Sequence, residues 1–312
     1  MQIIISSTGI ASADMKVLVT GGSGRIGFKL IKKFLGNRDL VASISKTNAV
    51  TLPKVKSFVF DLADNAETVK TIKDFAPDMV VHTAALTNVD LCETNHELAY
   101  EQNVKATQNV IDACKEYGSK LVFVSSAFVF DGKDKVFTEE SKTNPINYYG
   151  ETKALSEAAI KENLEDYLIL RTDQPYGSIE PWQKDDNVRR VLNKLNNNQE
   201  SKEPTDWYNN PTYLDDFSEA TIKLIKEDKK GIYNLVGPDF INRYEWALKI
   251  ADTFGKNKNL IVPIDSSTFN LAAKRPNINL SNEKTVRETK ISFLGVEAGL
   301  KDLKIKLGHQ IE

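Results

Sequence analysis

The sequence predicts an α/β fold, a doubly wound parallel sheet with a smaller C-terminal lobe. Three observations predict it: apolar runs of strand length alternate with helix-length amphipathic stretches through the first half, a glycine-spaced turn joins the first run to the first helix, and the alternation stops after Thr172. Strands buried on both faces of a parallel sheet read as continuous apolar runs, which is the form these take. A chain of 312 residues can bury a sizeable core and suits one large domain or a core domain with an added lobe.

Taken in order, residues 1–14, "MQIIISSTGIASAD", hold a short apolar run with no basic residue ahead of it and read as an extension, not a signal peptide. From Met15 the strand-like runs are "KVLVT", "LVASIS", "KSFVF", "DMVVHT", "KLVFVS" and "YLILRT". Between them the apolar spacing predicts helices over 24–35, 66–75, 97–117 and 149–162. Crossovers between such strands are nearly always right-handed. After Thr172, polar "NKLNNNQESKEP" and the irregularly placed Pro181, Trp182, Pro204, Trp207 and Pro211 open a second lobe. Helical "DDFSEATIKLIKED" and strand-like "GIYNLVG" then return to the sheet, and "NRYEWALKIADTFG" with the C-terminal segment rebuilds the lobe. The expected division is a main domain over 15–172 plus about 213–237, with the lobe over 173–212 and 238–312.

Lys plus Arg total 41 against 43 for Asp plus Glu, and the net charge of −2 gives no general attraction for nucleic acid or an anionic membrane. No stretch approaches the roughly 20 apolar residues that span a bilayer. Cys92 and Cys114 form no CxxC pair, and His82, His96 and His309 are scattered, so neither a disulfide framework nor a metal site is expected. A soluble protein of the reduced cytoplasm fits this composition.

"VLVTGGSGRIGFKLIKKFL" is a strand, a turn and a helix in succession, with Gly21, Gly24 and Gly27 three residues apart and Arg25 and Ile26 inside the turn. Such a loop turns tightly, brings backbone N–H groups to a pyrophosphate and packs the helix close to the strand, so the main domain reads as an NAD(P)-binding Rossmann fold. Sites that prefer NAD place an acidic residue about 20 residues on. Here Ser45 and Lys46 end the second strand, and Arg25 adds a second cation. Cations suit a 2′-phosphate, which makes NADPH the expected cofactor and NAD the alternative. Asp61, followed by Leu62, closes the third strand and can accept from an adenine amino group; it can equally cap the next helix, a task for which Asp64 is better placed.

"INYYGETKALSE" holds two tyrosines and a lysine. At about 100° per residue, Tyr149 and Lys153 lie on one helical face, while Tyr148 lies well away from it. A nearby ammonium favours phenolate, so Lys153 is expected to lower the pKa of Tyr149 and fit it for proton transfer. "LVFVSSAFVFDG" ends a predicted strand in Ser125 and Ser126, one of which can hydrogen-bond a substrate carbonyl.

With "TGGSGRIG", "VSSAFVFDG", "YGETK", "LRTDQPYG", "NNPTYLDD" and "GIYNLVGPDFINRYEWA" in this order, the chain resembles the extended short-chain dehydrogenase/reductase superfamily. "HTAALTNVDLCE", "FVFDG", "PTY", "RYE" and "KRP" make it similar, more narrowly, to the dTDP-4-dehydrorhamnose reductase family, from Met15 to the end. That resemblance implies NADPH-dependent reduction of the 4-keto group of a nucleotide-linked 6-deoxysugar. It also implies Ser126 as the catalytic hydroxyl, Tyr149 as general acid and Lys153 as its lysine. Ala84, Ala85 and Thr87 would line the cofactor and substrate, and Asn103 would support them or serve the loop's own structure. Thr87, Ser126, Ala127, Arg243 and Arg275 form the expected substrate set, with Arg171 and Tyr213 as further candidates. Arginine suits a diphosphate because its planar fork donates two parallel hydrogen bonds.

Two departures bear on the sugar. The family commonly reads Ser-Thr-Asp-Tyr where this chain has Ser125, Ser126, Ala127 and Phe128, and it offers an aromatic after "LRT" where this chain has Asp173, Gln174 and Pro175. The chain also resembles a sibling branch, the regulatory beta subunit of methionine adenosyltransferase, around "TDWYNNPTYLDD" and "NRYEWALKIADTFG". The alternatives are therefore a nucleotide-sugar epimerase or dehydratase, and a non-catalytic NADP-binding subunit. A nucleotide sugar is the expected partner, and a homodimer stays open.

Overall fold

The computed structural model describes residues 15–37 and 39–308, so the 1–14 extension and His309 lie outside the described residues. The first half runs β1 (Lys16–Thr20), α1 (Arg25–Gly36), β2 (Leu40–Ser45), β3 (Val55–Val59), α2 (Asn65–Phe75), β4 (Met79–His82), α3 (Val89–Thr94), α4 (His96–Ala99), α5 (Ala106–Tyr117), β5 (Lys120–Ser126), α6 (Tyr148–Asn163) and β6 (Tyr167–Thr172). Beyond it come β7 (Pro175–Tyr176), α7 (Asn187–Asn196), β8 (Ser201–Pro204), β9 (Tyr208–Asn209), β10 (Thr212–Tyr213), α8 (Leu214–Lys226) and β11 (Gly231–Asn234). The chain closes with β12 (Ile241–Asn242), α9 (Arg243–Thr253), β13 (Ile261–Ile264), α10 (Glu283–Thr289) and α11 (Val296–Gly308).

Among the described residues the main sheet has seven parallel strands in the order β11-β6-β5-β4-β1-β2-β3. Alternation of side chains along each strand divides the core in two. Val17 and Val19 of β1 pack on Leu30, Ile31 and Phe34 of α1 and Phe217 and Leu224 of α8. Leu18, on the opposite face, joins Val80, Leu121 and Ile169 beneath Val110 of α5 and Ile160 of α6. Each such side chain contributes about 1.5–3 kcal/mol by leaving water. Strand order reverses direction between β1 and β4, and that crevice, at the carboxyl ends of the strands, is where ligands of doubly wound sheets bind.

The six expected strands all form, and "GIYNLVG" does return as β11 against β6. The helix expected over 97–117 is instead interrupted: Tyr100–Lys105 winds as a π-helical turn between α4 and α5. Insertions of this kind re-aim side chains and concentrate at functional sites. The lobe has its own core, in which Trp246 and Ile250 of α9 meet Tyr176, Val191 of α7 and Leu300 of α11. Short pairings β8 with β13 and β9 with β12 frame it. Among the described residues no helix is long and apolar enough to cross a membrane.

Candidate active site

The glycine loop follows β1 directly. Gly21 takes a φ of 68°, and a Cβ there would lie 2.7 Å from the backbone nitrogen of Ala84, so only glycine lets the two loops meet. Its N–H donates to Ile44 O at 2.8 Å. Gly24 caps α1 without a side-chain hydrogen bond, and the first turn carries no acidic residue, so the amino end of the helix keeps donors and positive dipole for an anion. Ile26 packs on the core beneath.

The cations around this loop are placed differently from expectation. Arg25 does not stand free for a 2′-phosphate: Nη1 donates to Pro175 O at 3.0 Å and Nη2 to Lys184 O at 2.8 Å, both on the segment that enters the lobe. Gln183 Nε2 adds a bond to Ser23 O at 3.1 Å, and Trp182 meets Phe28 edge to face at 5.4 Å. Ser45 is buried, its Oγ accepting from Ser23 N at 3.1 Å, which makes it a support of the loop. Lys46 and Asp61 are paired with each other at 2.6 Å, and Gln102 bonds to both. Burial pushes the Asp61 carboxyl up, but hydrogen bonds from Lys46, Ala63 and Gln102 outweigh it and hold the group below the usual range. Capping of α2 falls to Asp64, whose Oδ1 accepts from Glu67 N at 3.2 Å. Leu62 lies in the core.

Ala84, Ala85 and Thr87 lie on the loop after β4, at the crevice, with Thr87 exposed. Asn103, re-aimed by the π turn, grips that loop: its Oδ1 accepts from Leu86 N at 2.7 Å, and its Nδ2 donates to Leu86 O at 3.2 Å and to Thr152 Oγ1 at 3.0 Å. The loop is thereby tied to α6 one residue before Lys153. His82, flanked by Thr20 Oγ1 at 2.6 Å and Thr107 Oγ1 at 3.0 Å, is driven down to about 3 by burial and stays neutral.

Asn147 caps α6 through Gly150 N at 2.8 Å, and Gly150 lets the helix approach so closely that a Cβ would lie 2.0 Å from Phe128 O. This contact sets Tyr149, on the first turn of α6, beside the end of β5 that carries Ser126, with the Tyr149 ring edge-on to Phe128 at 6.1 Å. Ser126 Oγ accepts from Phe128 N at 3.2 Å. Tyr148 points elsewhere, its ring stacked on His96 at 3.7 Å. The expected lowering of Tyr149 by Lys153 is not met: burial pushes the phenol up to about 12, with the Ser126 hydroxyl opposing. Lys153 turns instead to Val124 O at 2.6 Å over the Phe123 ring, and burial brings it down to about 7, with the Glu157 charge opposing.

Three expected substrate residues are corrected. Ala127 is 0% exposed, packed with Val129 and Phe130, so its methyl cannot touch a sugar. Arg171 is 1% exposed and closes a bidentate pair with Glu157 at 2.6 and 3.0 Å. Tyr213 lies in the core of the lobe with its hydroxyl on Asp302 at 2.6 Å. Arg243 and Arg275 do converge, both over the indole of Trp207 at 4.8 and 5.8 Å. Arg275 is further held by Asp90 Oδ2 at 2.7 Å. Sequence reading missed Trp207, Asn209 and Glu157 as members of the site. Glu157 alone left a signal, four residues after Lys153 on the same helical face.

A glycine loop at an uncapped helix, and a serine and tyrosine meeting at the strand ends, form a recognisable pair of features. The family model described as the RmlD substrate binding domain matches residues 15–306. The chain belongs to this family. It is 30% identical over 255 residues to methionine adenosyltransferase 2 subunit beta of Xenopus tropicalis, covering 80% of this chain and 75% of that protein. It is 26% identical over 300 residues to dTDP-4-dehydrorhamnose reductase of Salmonella typhimurium, covering 92% and 96%. Among solved structures it is similar to the Bacillus anthracis dTDP-4-dehydrorhamnose reductase in complex with NADP, with a TM-score of 0.84, 25% identity, and coverage of 94% of this chain and 100% of that one. In this family member Ser126, Tyr149 and Lys153 stand on β5 and α6 beside the crevice.

Proposed function

We propose that this chain is an NADPH-dependent reductase of a nucleotide-linked 4-keto-6-deoxysugar. The observation that carries the reading is the placing of Tyr149, on the first turn of α6, beside Ser126 at the carboxyl end of β5, where Gly150 lets the helix close on Phe128 O. Similarity to reductases from Salmonella typhimurium and Bacillus anthracis, the latter crystallised with NADP, supports it. The residues fit a dinucleotide: Gly24 and the uncapped first turn of α1 can hold the pyrophosphate, and Lys46 can exchange Asp61 for a 2′-phosphate. When bound, the dinucleotide supplies the hydride.

The chain's own residues supply the rest. Tyr149, pushed up to about 12, keeps its proton at neutral pH and donates it to the carbonyl oxygen as that oxygen becomes an alkoxide. Ser126 hydrogen-bonds the same oxygen and polarises it. Lys153, released from Val124 O, is on the correct face to hold a ribose hydroxyl and to stabilise Tyr149 as it loses its proton. Arg243 and Arg275, flanking Trp207, bind the substrate's diphosphate.

A second reading is a non-catalytic regulatory subunit. Relatives named as methionine adenosyltransferase 2 subunit beta favour it, as does Phe128, whose ring closes edge-on over Tyr149 at 6.1 Å. An epimerase or dehydratase would recycle its nicotinamide. NADPH consumption measured across a panel of nucleotide-linked 4-keto-6-deoxysugars separates the reductase from both of these. Net oxidation is expected with at least one sugar, falling about 10²–10⁴-fold in Tyr149→Phe and little in Tyr148→Phe. Cofactor binding with neither consumption of NADPH nor conversion of any sugar in the panel would leave the regulatory reading as the better one.

A further inference from the structure

Asp173 follows β6 directly, at the ligand-binding edge of the sheet, and is 5% exposed. Burial raises its pKa to about 6. Its Oδ2 accepts from Asn210 N at 2.9 Å and from Asn209 Nδ2 at 3.2 Å. The other end of the Asn209 amide, Oδ1, accepts from Arg243 Nε at 2.9 Å. Asn209 is itself 1% exposed, and it sits on β9, which pairs antiparallel with the strand that leads into Arg243. Arg243 is 8% exposed, between the rings of Trp207 and Trp246 at 4.8 and 5.6 Å. Among the described residues no hydrogen bond engages its two terminal amino groups.

We infer that Asp173 is a positioning residue for the phosphate-binding Arg243, acting through the side-chain amide of Asn209. This inference rests on the reading of Arg243 as a ligand of the substrate's diphosphate. Three pieces of chemistry lead to it. An amide has a donor end and an acceptor end, and a carboxylate can only accept, so Asp173 compels Asn209 to turn its nitrogen inward. Its oxygen is then the end offered to Arg243, and it takes the Nε hydrogen. The planar guanidinium, held at Nε and between two indoles, is left with its terminal amino groups in a fixed direction. A direct ion pair between Asp173 and Arg243 would occupy those groups and cancel the charge. The intervening amide orients the guanidinium and leaves both available for a phosphate. Asp173, the first position after "LRT" to depart from the family pattern, thus contributes to substrate affinity and not to the proton transfer.

Asp173→Asn is isosteric but lets the Asn209 amide reverse and present hydrogens to Arg243. Binding of dTDP and of UDP to the NADPH-saturated protein, followed by calorimetry, reads the consequence in Asp173→Asn, Arg243→Ala and the double variant. The expected result is about tenfold weaker nucleotide binding in Asp173→Asn, no further loss when that change is added to Arg243→Ala, and an unchanged affinity for NADPH. Asn209→Ser removes the same relay from its other side and is expected to show the same dependence on Arg243. Weak binding by Arg243→Ala together with parental binding by both Asp173→Asn and Asn209→Ser overturns the relay and leaves the phosphate reading standing. Parental binding by Arg243→Ala overturns the phosphate reading itself, and the relay with it. An equal loss from Asp173→Asn with and without Arg243 marks a merely structural residue and also overturns the inference.

Discussion

Asp173 also has a consequence for stability, because its carboxyl is raised by burial to about 6 while an unfolded aspartate titrates near 3.9. Between those values the folded chain holds a proton that the unfolded chain has lost. The stability linked to that proton is full below about pH 4 and is lost as pH rises through about 6. Asp173→Asn keeps the shape without the charge, so its Tm is expected to exceed that of the parent at pH 8, with the gap closing towards pH 4. Thermal melts across that range check it, and a gap that widens at low pH would contradict the burial of a charge here. A buried carboxylate that lowers stability at neutral pH is a common compromise at functional sites. The identity of this residue was legible in the sequence as a departure from the family pattern; its partner Asn209 was not, since the two lie 36 positions apart.

At the scale of elements, α6 carries Tyr149, Lys153 and Glu157 at intervals of four, one face of one helix. Glu157 joins that helix to both neighbouring strands: it accepts from Ser125 Oγ of β5 at 2.6 Å and pairs with Arg171 of β6 at 2.6 Å. The two charges are 0% and 1% exposed. A pair this deep holds Ser126 and Tyr149 in register, because the strand end and the helix face are bonded to the same carboxylate. Removing one partner leaves the other buried and uncompensated. Glu157→Gln is therefore expected to lose about 3–5 kcal/mol in chemical denaturation. Replacing both, as Glu157→Leu with Arg171→Met, is expected to recover much of that loss, since no buried charge remains. If the double replacement were as unstable as the single one, packing and not charge would account for the loss.

At the scale of the whole molecule, the segment between β7 and α7 lies across the glycine loop. Arg25, Gln183 and Trp182 make the contacts that join lobe to sheet there. Arg25 and Lys46, both expected to face a 2′-phosphate, therefore separate into two roles. Arg25→Ala removes two hydrogen bonds from a guanidinium to backbone carbonyls and is expected to lower Tm while leaving any preference for NADPH over NADH intact. Lys46 is about half exposed, at 53%, so Lys46→Glu is expected to leave Tm nearly unchanged and to erase the preference. Fluorescence titration of both cofactors beside thermal melts distinguishes the two residues. Equal affinities for NADPH and NADH in the parent would remove the basis for the Lys46 expectation.

The sequence by itself determined the sheet, because apolar runs, amphipathic periods and glycine spacing are local signals of what each segment buries. It also determined which tyrosine shares a helical face with Lys153, since helical register follows from counting residues. What lay beyond it were the partners. The Glu157–Arg171 pair, the Asp173–Asn209–Arg243 relay, the Arg25 contacts with the lobe and the turning of Lys153 to Val124 all join residues that the chain separates and the fold brings together. The interruption of the helix at Tyr100–Lys105 belongs with them, because a π turn is held by what Asn103 bonds to, not by the helical propensity of its residues. Only tertiary structure decided whether a charged side chain faces a ligand, another side chain or a backbone carbonyl, because burial and long-range hydrogen bonding are properties of the packed chain.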